Sequence, residues 1–199
     1  MAYISTSDLK AYLGATTAAD DTLLGTLITY AQAIIESEAG AGRVYEVSAD
    51  TTRTFDAVRD VRGRVLHLDG DLAQITSVTN GDGATLTTAD YVPEGPNGRR
   101  GPPYRRIRLK DYSSAAWTFP AAGPEGAISI VGRWGASVTP PARIKEYCTE
   151  IAAWLYRGRA AATDAASDRP LLTGDGVTML ARRLPSHVMA ALRLERPVT

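Results

Sequence analysis

Hydrophobic positions follow a helical period at both ends of the chain and a strand period between them. Near the amino terminus, apolar residues recur every three or four positions, which predicts a helix over residues 20–39 with one buried stripe. The stripe consists of Leu24, Leu27, Ile28, Ala31, Ile34 and Ile35. Asp20 and Asp21 place negative charge at the amino end of this helix, and Gly40 and Gly42 end it.

Three further helices are expected outside the central region. A short helix over residues 9–13 has capping oxygens available in residues 6–8. After Pro140 a second apolar stripe predicts a helix over residues 141–157, because proline is well tolerated in a first helical turn. This stripe consists of Ile144, Tyr147, Cys148, Ile151, Ala152, Leu155 and Tyr156. A last short helix is predicted over residues 186–194, with Ser186 as its amino-terminal cap.

The central region has the alternation and the β-branched residues that are typical of short strands. Strands are predicted at residues 52–55, 65–68, 75–79, 84–87, 107–109, 116–119 and 127–131. The sequence Asn-Gly-Asp-Gly at 80–83 predicts a hairpin turn, because such turns need positive φ angles. Asp-Gly-Asp at 69–71 predicts a second turn. Residues 93–103, rich in glycine and proline, predict a loop without ladder hydrogen bonds.

These patterns predict an α+β fold in which a small helical bundle is interrupted by a central antiparallel β insert. Neither helical end can bury its stripe alone, so the two ends must pack together. We therefore expect amino-terminal helices in residues 1–43, a β-rich insert in 44–136, and a carboxy-terminal helix with a tail in 137–199.

Composition and charge narrow the classes of function. The 199 residues contain 22 basic and 22 acidic side chains, which disfavours a freely acting nucleic-acid binder. Charge is nevertheless uneven, because residues 1–42 carry one basic and five acidic side chains and residues 143–199 carry nine and six. Such a split can arise by chance, and it also suits copies that meet end to end in a ring. We expect neither a signal peptide nor a membrane span.

The chain lacks the residue constellations of common enzymes. No GxSxG, HExxH, P-loop or dinucleotide-binding glycine pattern occurs. His67 should face solvent from a strand, His187 lies in the first turn of the last helix, and Cys148 falls on an apolar stripe. Asp69 and Asp71 lack the other ligands of a calcium loop. We expect no catalytic site, metal or cofactor.

The strongest charge cluster lies after the glycine-rich loop. It comprises Arg99, Arg100, Arg105, Arg106, Arg108 and Lys110, with Tyr104 among them, and is called the basic cluster below. It admits two interpretations. A basic stretch with an aromatic residue can follow a phosphate backbone, whereas alternation around Ile107 is typical of a solvated strand face. The candidates for a DNA channel are Arg99, Arg100, Arg105 and Arg106.

The carboxy-terminal tail keeps apolar residues for which the two long helices provide no obvious partner. Apolar side chains without an intrachain partner usually mark an interface. The candidates for docking on another protein or a neighbouring copy are Leu171, Leu172, Met179, Leu180, Arg182, Arg183 and Leu184. Val188, Met189 and Leu192 belong to the same tail. The alternative is that the tail forms a third helix that closes the core of the monomer itself.

The order of these pieces resembles the head–tail connector, or adaptor, proteins of tailed bacteriophages and gene transfer agents, in their branch with a β insert. The similar segments are YISTSDLKAYLG at 3–14, AIIES at 33–37, DLAQITSV at 71–78, NGDG at 80–83, PPY at 102–104, GAISI at 126–130, GRWG at 132–135 and AAWLYR at 152–157. They extend over nearly the whole chain and weaken after Arg159. Their order and spacing together, rather than any one segment, carry the resemblance.

The resemblance implies a structural protein of the virion rather than an enzyme. Family members form a ring, usually of twelve subunits, that docks under the portal of a DNA-filled capsid. The ring extends the DNA channel and offers a platform for a tail or stopper protein. The implied location is the neck of the particle, and the bacterial cytoplasm during assembly. Another head- or tail-completion protein, such as a stopper or tail terminator, and a small hydrolase that uses His67 or His187 remain as alternatives.

Overall fold

Two compact units make up the chain. A computed structural model describes residues 2–14, 20–40, 43–163 and 185–196, with the backbone alone for residues 159–163. The β unit is formed by Arg43–Pro140, and the helical unit is formed by Ala2–Gly42 together with Pro141–Arg196. The described residues therefore form an α+β protein whose β part is inserted between its helical parts, as predicted.

The helical unit contains four described helices. They are α1 (Thr6–Leu13), α2 (Asp21–Glu38), α3 (Ala142–Thr163) and α4 (Ser186–Leu194). Helix α2 packs on α3, and α1 contacts both of these helices. The predicted stripes form this core, because Leu24, Leu27, Ile28, Ile35, Ile144 and Ile151 are all buried. Leu155 is half-buried, so the prediction is less complete at that end of α3.

Helix α1 begins earlier than its apolar pattern indicated. Its cap is Ser5 rather than a residue of 6–8: the Asp8 amide donates to the Ser5 hydroxyl at 3.1 Å. The Ser5 amide in turn donates to the Asp8 carboxylate at 3.0 Å. This reciprocal pair satisfies two amides that the first turn leaves without helical partners. Gly14 ends the helix at a φ of 69°.

The two carboxy-terminal helices differ from the prediction at their ends. Helix α3 continues through Gly158 to Thr163, since one glycine only weakens a helix that tertiary packing supports. Helix α4 is capped by Pro185, without a side-chain hydrogen bond, so the prediction that Ser186 caps it is wrong. Val188 and Leu192 are completely buried.

The β unit is built on an antiparallel sheet of seven described strands. They are β1 (Thr51–Phe55), β2 (Val61–Arg62), β3 (Val65–Thr79), β4 (Thr85–Leu86), β5 (Tyr91–Glu94), β6 (Tyr104–Leu109) and β7 (Ile128–Trp134). The order across the sheet is β1-β7-β3-β6-β5, and β2 and β4 pair with the two ends of β3. Buried aliphatic and aromatic side chains of these strands form one core.

Strand β3 is the long central strand, where a turn had been predicted at residues 69–71. The chain stays extended there, and the register with β6 shifts between His67 and Leu72. A bulge of this kind accommodates Gly70 and the two aspartates without ending the strand. Strand β3 therefore pairs with β6 over its first part and with β7 over its second.

The predicted hairpin at residues 80–83 is confirmed, and it organises a segment that is not a strand. Gly83 has a φ of 82°, and Val78 pairs with Leu86 across the turn. Residues 116–119, predicted as a strand, join no ladder. The buried Asn80 holds them instead: its side-chain amide donates to the Ala116 carbonyl at 2.8 Å and accepts from the Thr118 amide at 3.1 Å.

Pairing also continues into the segment that was predicted to be a loop. Pro93 lies opposite Ile107 and Glu94 lies opposite Arg106. Strand β5 is at the edge of the sheet, where a proline costs no ladder hydrogen bond if its nitrogen points outward. This extension places Glu94 beside the basic cluster.

The segments that enter and leave the β unit are hydrogen bonded to each other. The Ala136 amide donates to the Val44 carbonyl at 2.7 Å, and the Val47 amide donates to the Val138 carbonyl at 3.3 Å. Gly135 permits this approach, since a Cβ atom there would lie 2.9 Å from the Val44 carbonyl oxygen. Residues 44–47 and 136–138 thus form a paired base for the insert.

Candidate functional site

The basic cluster lies on β6 and on the connection that precedes it. Ile107 and Leu109 point into the core of the β unit and are completely buried. Arg106 and Arg108 alternate with them and are half-buried on the opposite face. The strand period thus explains why these two arginines share one face, as the sequence pattern indicated.

A single carboxylate holds both of these arginines. The Arg108 Nε donates to Glu94 Oε1 at 2.8 Å, and the Arg106 Nε lies 3.5 Å from Glu94 Oε2. The hydrogen bond that Arg108 donates to Glu94 raises the pKa of Arg108 above its ordinary value, so this guanidinium remains charged. Two cations on one anion leave this part of the sheet with a surplus positive charge.

Asp71 plays the same part for a second pair of arginines. The Arg105 Nε donates to Asp71 Oδ1 at 2.5 Å, and the Arg43 Nε donates to Oδ2 at 2.8 Å. The Asp71 side chain is only 7% exposed, which makes this the most enclosed carboxylate among the ion pairs of the described residues. Two guanidinium groups thus share the carboxylate of Asp71.

Arg99 and Arg100 differ from the other members of the cluster. Both are exposed, and within the described part of the chain neither forms an ion pair. Their connection is ordered by a hydrogen bond from the Gly95 amide to the Arg99 carbonyl at 2.7 Å. The four DNA-channel candidates are therefore of two kinds: Arg105 and Arg106 are ion paired, whereas Arg99 and Arg100 are exposed and unneutralised.

Sequence reasoning missed the acidic partners of this cluster. Asp71 had been predicted to lie in a turn and Glu94 in a loop. The partners are far apart in sequence, with 34 positions between Asp71 and Arg105. The available signal was the strand register, since extending β5 by two residues sets Glu94 opposite Arg106.

The residues considered for enzymatic or metal chemistry occupy ordinary environments. His67 is exposed on β3, as predicted. Asp69 is ion paired with Arg53 at 2.9 Å, and Asp71 is held by two arginines. Across residues 2–14, 20–40, 43–163 and 185–196, no group of three or more histidine, cysteine or acidic side chains could hold a metal ion.

The single cysteine is unsuited to act as a nucleophile. Cys148 is completely buried in the apolar stripe of α3, as predicted. Burial raises the pKa of its thiol to about 12, so almost none of it is thiolate at neutral pH. The second histidine, His187, is engaged at its Nε2 with the Glu150 carboxylate at 2.6 Å.

The docking candidates of the tail lie outside the described residues. They are Leu171, Leu172, Met179, Leu180, Arg182, Arg183 and Leu184. The tail is described again from Pro185, where Val188 and Leu192 are buried in the helical unit. For residues 185–196 the alternative interpretation is therefore the right one, since α4 belongs to the core of the protein's own helical unit.

Comparison with known proteins identifies the fold. No protein family model matches the sequence, and no curated protein matches it. The structure is similar to a chain from the neck of an empty gene transfer agent (GTA) particle that was computed with C6 symmetry. The match has a TM-score of 0.56 at 18% sequence identity and covers 99% of this chain and 91% of that one. The helical unit and the β insert thus occur together in that neck chain.

None of the helices in the described residues combines the length and the apolar character needed to cross a membrane.

Proposed function

We propose that this protein is a structural component of a virion neck, a head–tail connector or adaptor that assembles as a ring. The observation that carries the proposal is a fold shared over 99% of the chain with a neck protein of a gene transfer agent particle. A likeness limited to the helices or to the sheet would leave many functions open. The role is carried over from that neck chain by analogy of fold, over both the helices and the β insert.

In this role the ring docks on the portal, extends the DNA channel and provides the platform for a tail or stopper protein. The sixfold symmetry applied to the neighbouring neck supports a ring of repeated copies. Twelve subunits, two for each sixfold repeat, fit that symmetry. The protein would be made in the bacterial cytoplasm and incorporated into the particle.

The basic cluster is proposed to face the DNA of the channel. The carboxylate of Glu94, which Arg106 and Arg108 share, leaves one surplus positive charge, and Arg99 and Arg100 add two exposed charges. Repeated around a ring, such charges attract double-stranded DNA without reading its sequence, and salt screens the attraction. Ion pairing holds Arg105 and Arg106 in place, whereas the two exposed arginines are free to meet phosphates.

The docking role of the tail is proposed for the segment that precedes Pro185. Its candidates are Leu171, Leu172, Met179, Leu180, Arg182, Arg183 and Leu184. Apolar side chains there would be buried against the portal or a neighbouring copy, and the two arginines would meet acidic surface.

Imaging the protein with its portal tests the assembly. Purified protein is mixed with the portal encoded in the same genome and examined by negative-stain electron microscopy. A ring stacked on one end of the portal is expected. A stopper or tail terminator would bind only once a separate connector is present, so failure to bind the bare portal would contradict the proposal. A variant with residues 170–184 replaced by a flexible linker should stay folded and lose portal binding.

DNA binding by the assembled ring tests the basic cluster. Replacing Arg99 by glutamate should weaken binding to double-stranded DNA and reduce the salt dependence of the affinity by about one phosphate contact per subunit. The matched control is Arg62→Glu, an exposed arginine of β2 outside the cluster. Equal losses in both variants would assign the effect to net charge and remove the channel role of Arg99.

A further inference from the structure

Apart from Asp21 at its first position, helix α2 has no exposed charged residue, which is unusual for a helix at a protein surface. Six exposed residues at helical spacing form the α2 face: Thr22, Thr26, Thr29, Tyr30, Ala33 and Ser37. Exposed helix faces in monomeric proteins normally carry lysine and glutamate. Protein interfaces instead lack those residues and are enriched in tyrosine.

Hydrogen bonding makes the α2 face more apolar than its sequence suggests. The Thr26 hydroxyl donates to the Thr22 carbonyl at 3.1 Å, and the Thr29 hydroxyl donates to the Gly25 carbonyl at 3.0 Å. Both hydroxyl groups are therefore turned to their own helix, which leaves the methyl groups toward the outside. Tyr30, which follows Thr29 directly, is 58% exposed.

A complementary surface exists elsewhere on the helical unit. An open groove of about 570 Å³, called the aromatic groove, is lined by Tyr12, Glu150, Trp154, Arg157, Pro185 and His187. These residues come from α1, α3 and the start of α4. None of them belongs to α2, so the aromatic groove and the α2 face are separate surfaces of the same unit.

The aromatic groove presents a positive charge on an aromatic floor. The Arg157 guanidinium lies over the Tyr12 ring, 5.7 Å from its centroid, and forms no ion pair within the described residues. The acid of the groove, Glu150, is engaged by His187. A stacked guanidinium still offers its edge to carboxylates and its outer face to another aromatic ring.

The charged residues of the helices also favour contact between the α2 face of one copy and the aromatic groove of another. Helix α2 contains no basic and three acidic residues, whereas α3 and α4 contain five basic and two acidic residues. Two copies in contact through like surfaces would repel each other. Contact between the α2 side of one copy and the α3–α4 side of the next brings opposite charges together.

We propose that the α2 face of one copy packs into the aromatic groove of the next copy, with Tyr30 as the inserted side chain. The contact is head to tail: each copy uses its face on one neighbour and its groove on the other. Such a contact generates a closed ring when the rotation between copies closes. The inference rests on the proposed ring assembly and names the surfaces that build it.

Thiol cross-linking between engineered cysteines tests this contact. Tyr30→Cys, Arg157→Cys and the double variant are treated with a short bismaleimide, both alone at high protein concentration and on the portal. The wild-type chain is a natural blank, because Cys148 is buried and its raised pKa keeps it unreactive. Both engineered positions are exposed, so the variants should fold, which unchanged melting temperatures would verify.

Head-to-tail packing predicts a distinctive pattern of products. Each single variant should remain monomeric on denaturing gels. In a head-to-tail contact, the engineered cysteine of one copy does not meet the engineered cysteine of the next copy. A mixture of the two single variants should give dimers and nothing larger, whereas the double variant should give a ladder of multimers. Tyr112→Cys, an exposed tyrosine of the β unit, replaces Tyr30→Cys in the control double variant and should give no ladder.

Two results would overturn the inference. Dimers formed by Tyr30→Cys alone would mean that the face meets itself in a twofold contact. No ladder above the Tyr112→Cys control, with or without portal, would mean that these surfaces do not meet. The imaging experiment decides the proposed function separately: wild-type rings on the portal without a ladder reject only this contact, whereas a ladder without portal binding rejects only the neck role.

Discussion

The helical unit and the β unit are stabilised in different ways. In the helical unit the buried positions described here are apolar, and ion pairs such as Arg143–Glu195 lie toward the surface. The enclosed polar groups of the β unit include Asp71, which lies between arginines, and Asn80, which is hydrogen bonded to an irregular segment. The core of the helical unit follows from an apolar pattern that repeats along each helix, whereas the enclosed contacts of the β unit depend on single polar residues. Substitutions that separate these two modes of stabilisation test the difference.

The largest effect is expected in the helical core. Ile151→Ala removes a completely buried side chain of α3 and should lower the free energy of unfolding by about 2–5 kcal/mol, through lost burial and the remaining cavity. Denaturant titration followed by far-ultraviolet circular dichroism measures it. Leu194→Ala, at a residue that is 87% exposed, is the control and should change little. An unchanged midpoint for Ile151→Ala would show that the stripe is not a core.

The next effect concerns the enclosed carboxylate of the β unit. Asp71→Asn keeps the volume but removes the carboxylate charge that Arg43 and Arg105 share, which should cost about 2–3 kcal/mol after allowing for the partial exposure of Arg105. Asp69→Asn removes an exposed ion pair with Arg53 and should cost less than about 1 kcal/mol. Thermal unfolding of the two variants compares them. Equal losses would contradict a special role for the enclosed pair.

A smaller effect is expected where Asn80 holds residues 116–118. Asn80→Ala removes both side-chain hydrogen bonds and should cost about 1–2 kcal/mol. The loss should be local, so hydrogen exchange of the Thr118 amide should accelerate while that of Val131, in the sheet ladder, stays slow. Parallel acceleration at both amides would show that Asn80 supports the whole sheet.

The smallest effect concerns the start of α1 and gives a dependence on pH. Hydrogen bonds from the Ser5 side chain and backbone lower the pKa of Asp8. Because the pKa is lowered in the folded state, the contribution of the capping pair is present above about pH 4 and is lost as the pH falls through the lowered value. Ser5→Ala should therefore cost about 1 kcal/mol at neutral pH and less in acid. A loss that does not change with pH would contradict this account.

The local sequence pattern was sufficient to predict helices with a recurring apolar stripe and turns with a required glycine. The stripe of α2 was predictable because six apolar residues recur at one helical face, and the hairpin at residues 80–83 was predictable because its glycine needs a positive φ. Cap positions were less certain, since Ser5 and the residues of 6–8 offer similar oxygens and only the final geometry selects among them.

Features that depend on distant partners could not be read from local pattern. Residues 116–119 have strand-like composition but no ladder partner. The side-chain amide of Asn80, rather than a neighbouring strand, forms hydrogen bonds with their backbone. Asp-Gly-Asp at 69–71 has turn-like composition but forms a bulge that β6 and β7 hold extended. The acidic partners of the basic cluster likewise became recognisable only from strand register.

The paired base of the β unit has a consequence for how the chain folds. Helices α2 and α3 are joined by a connection of about a hundred residues, and closing so long a loop carries an entropic cost. Once residues 44–47 and 136–138 are hydrogen bonded, only eight residues remain between the helices and that base, in 39–43 and 139–141. Loop-closure entropy grows with the logarithm of length, so this shortening lowers the cost of bringing α2 to α3 by about 2 kcal/mol. If the β unit folds first, α2 and α3 therefore come together at a lower entropic cost.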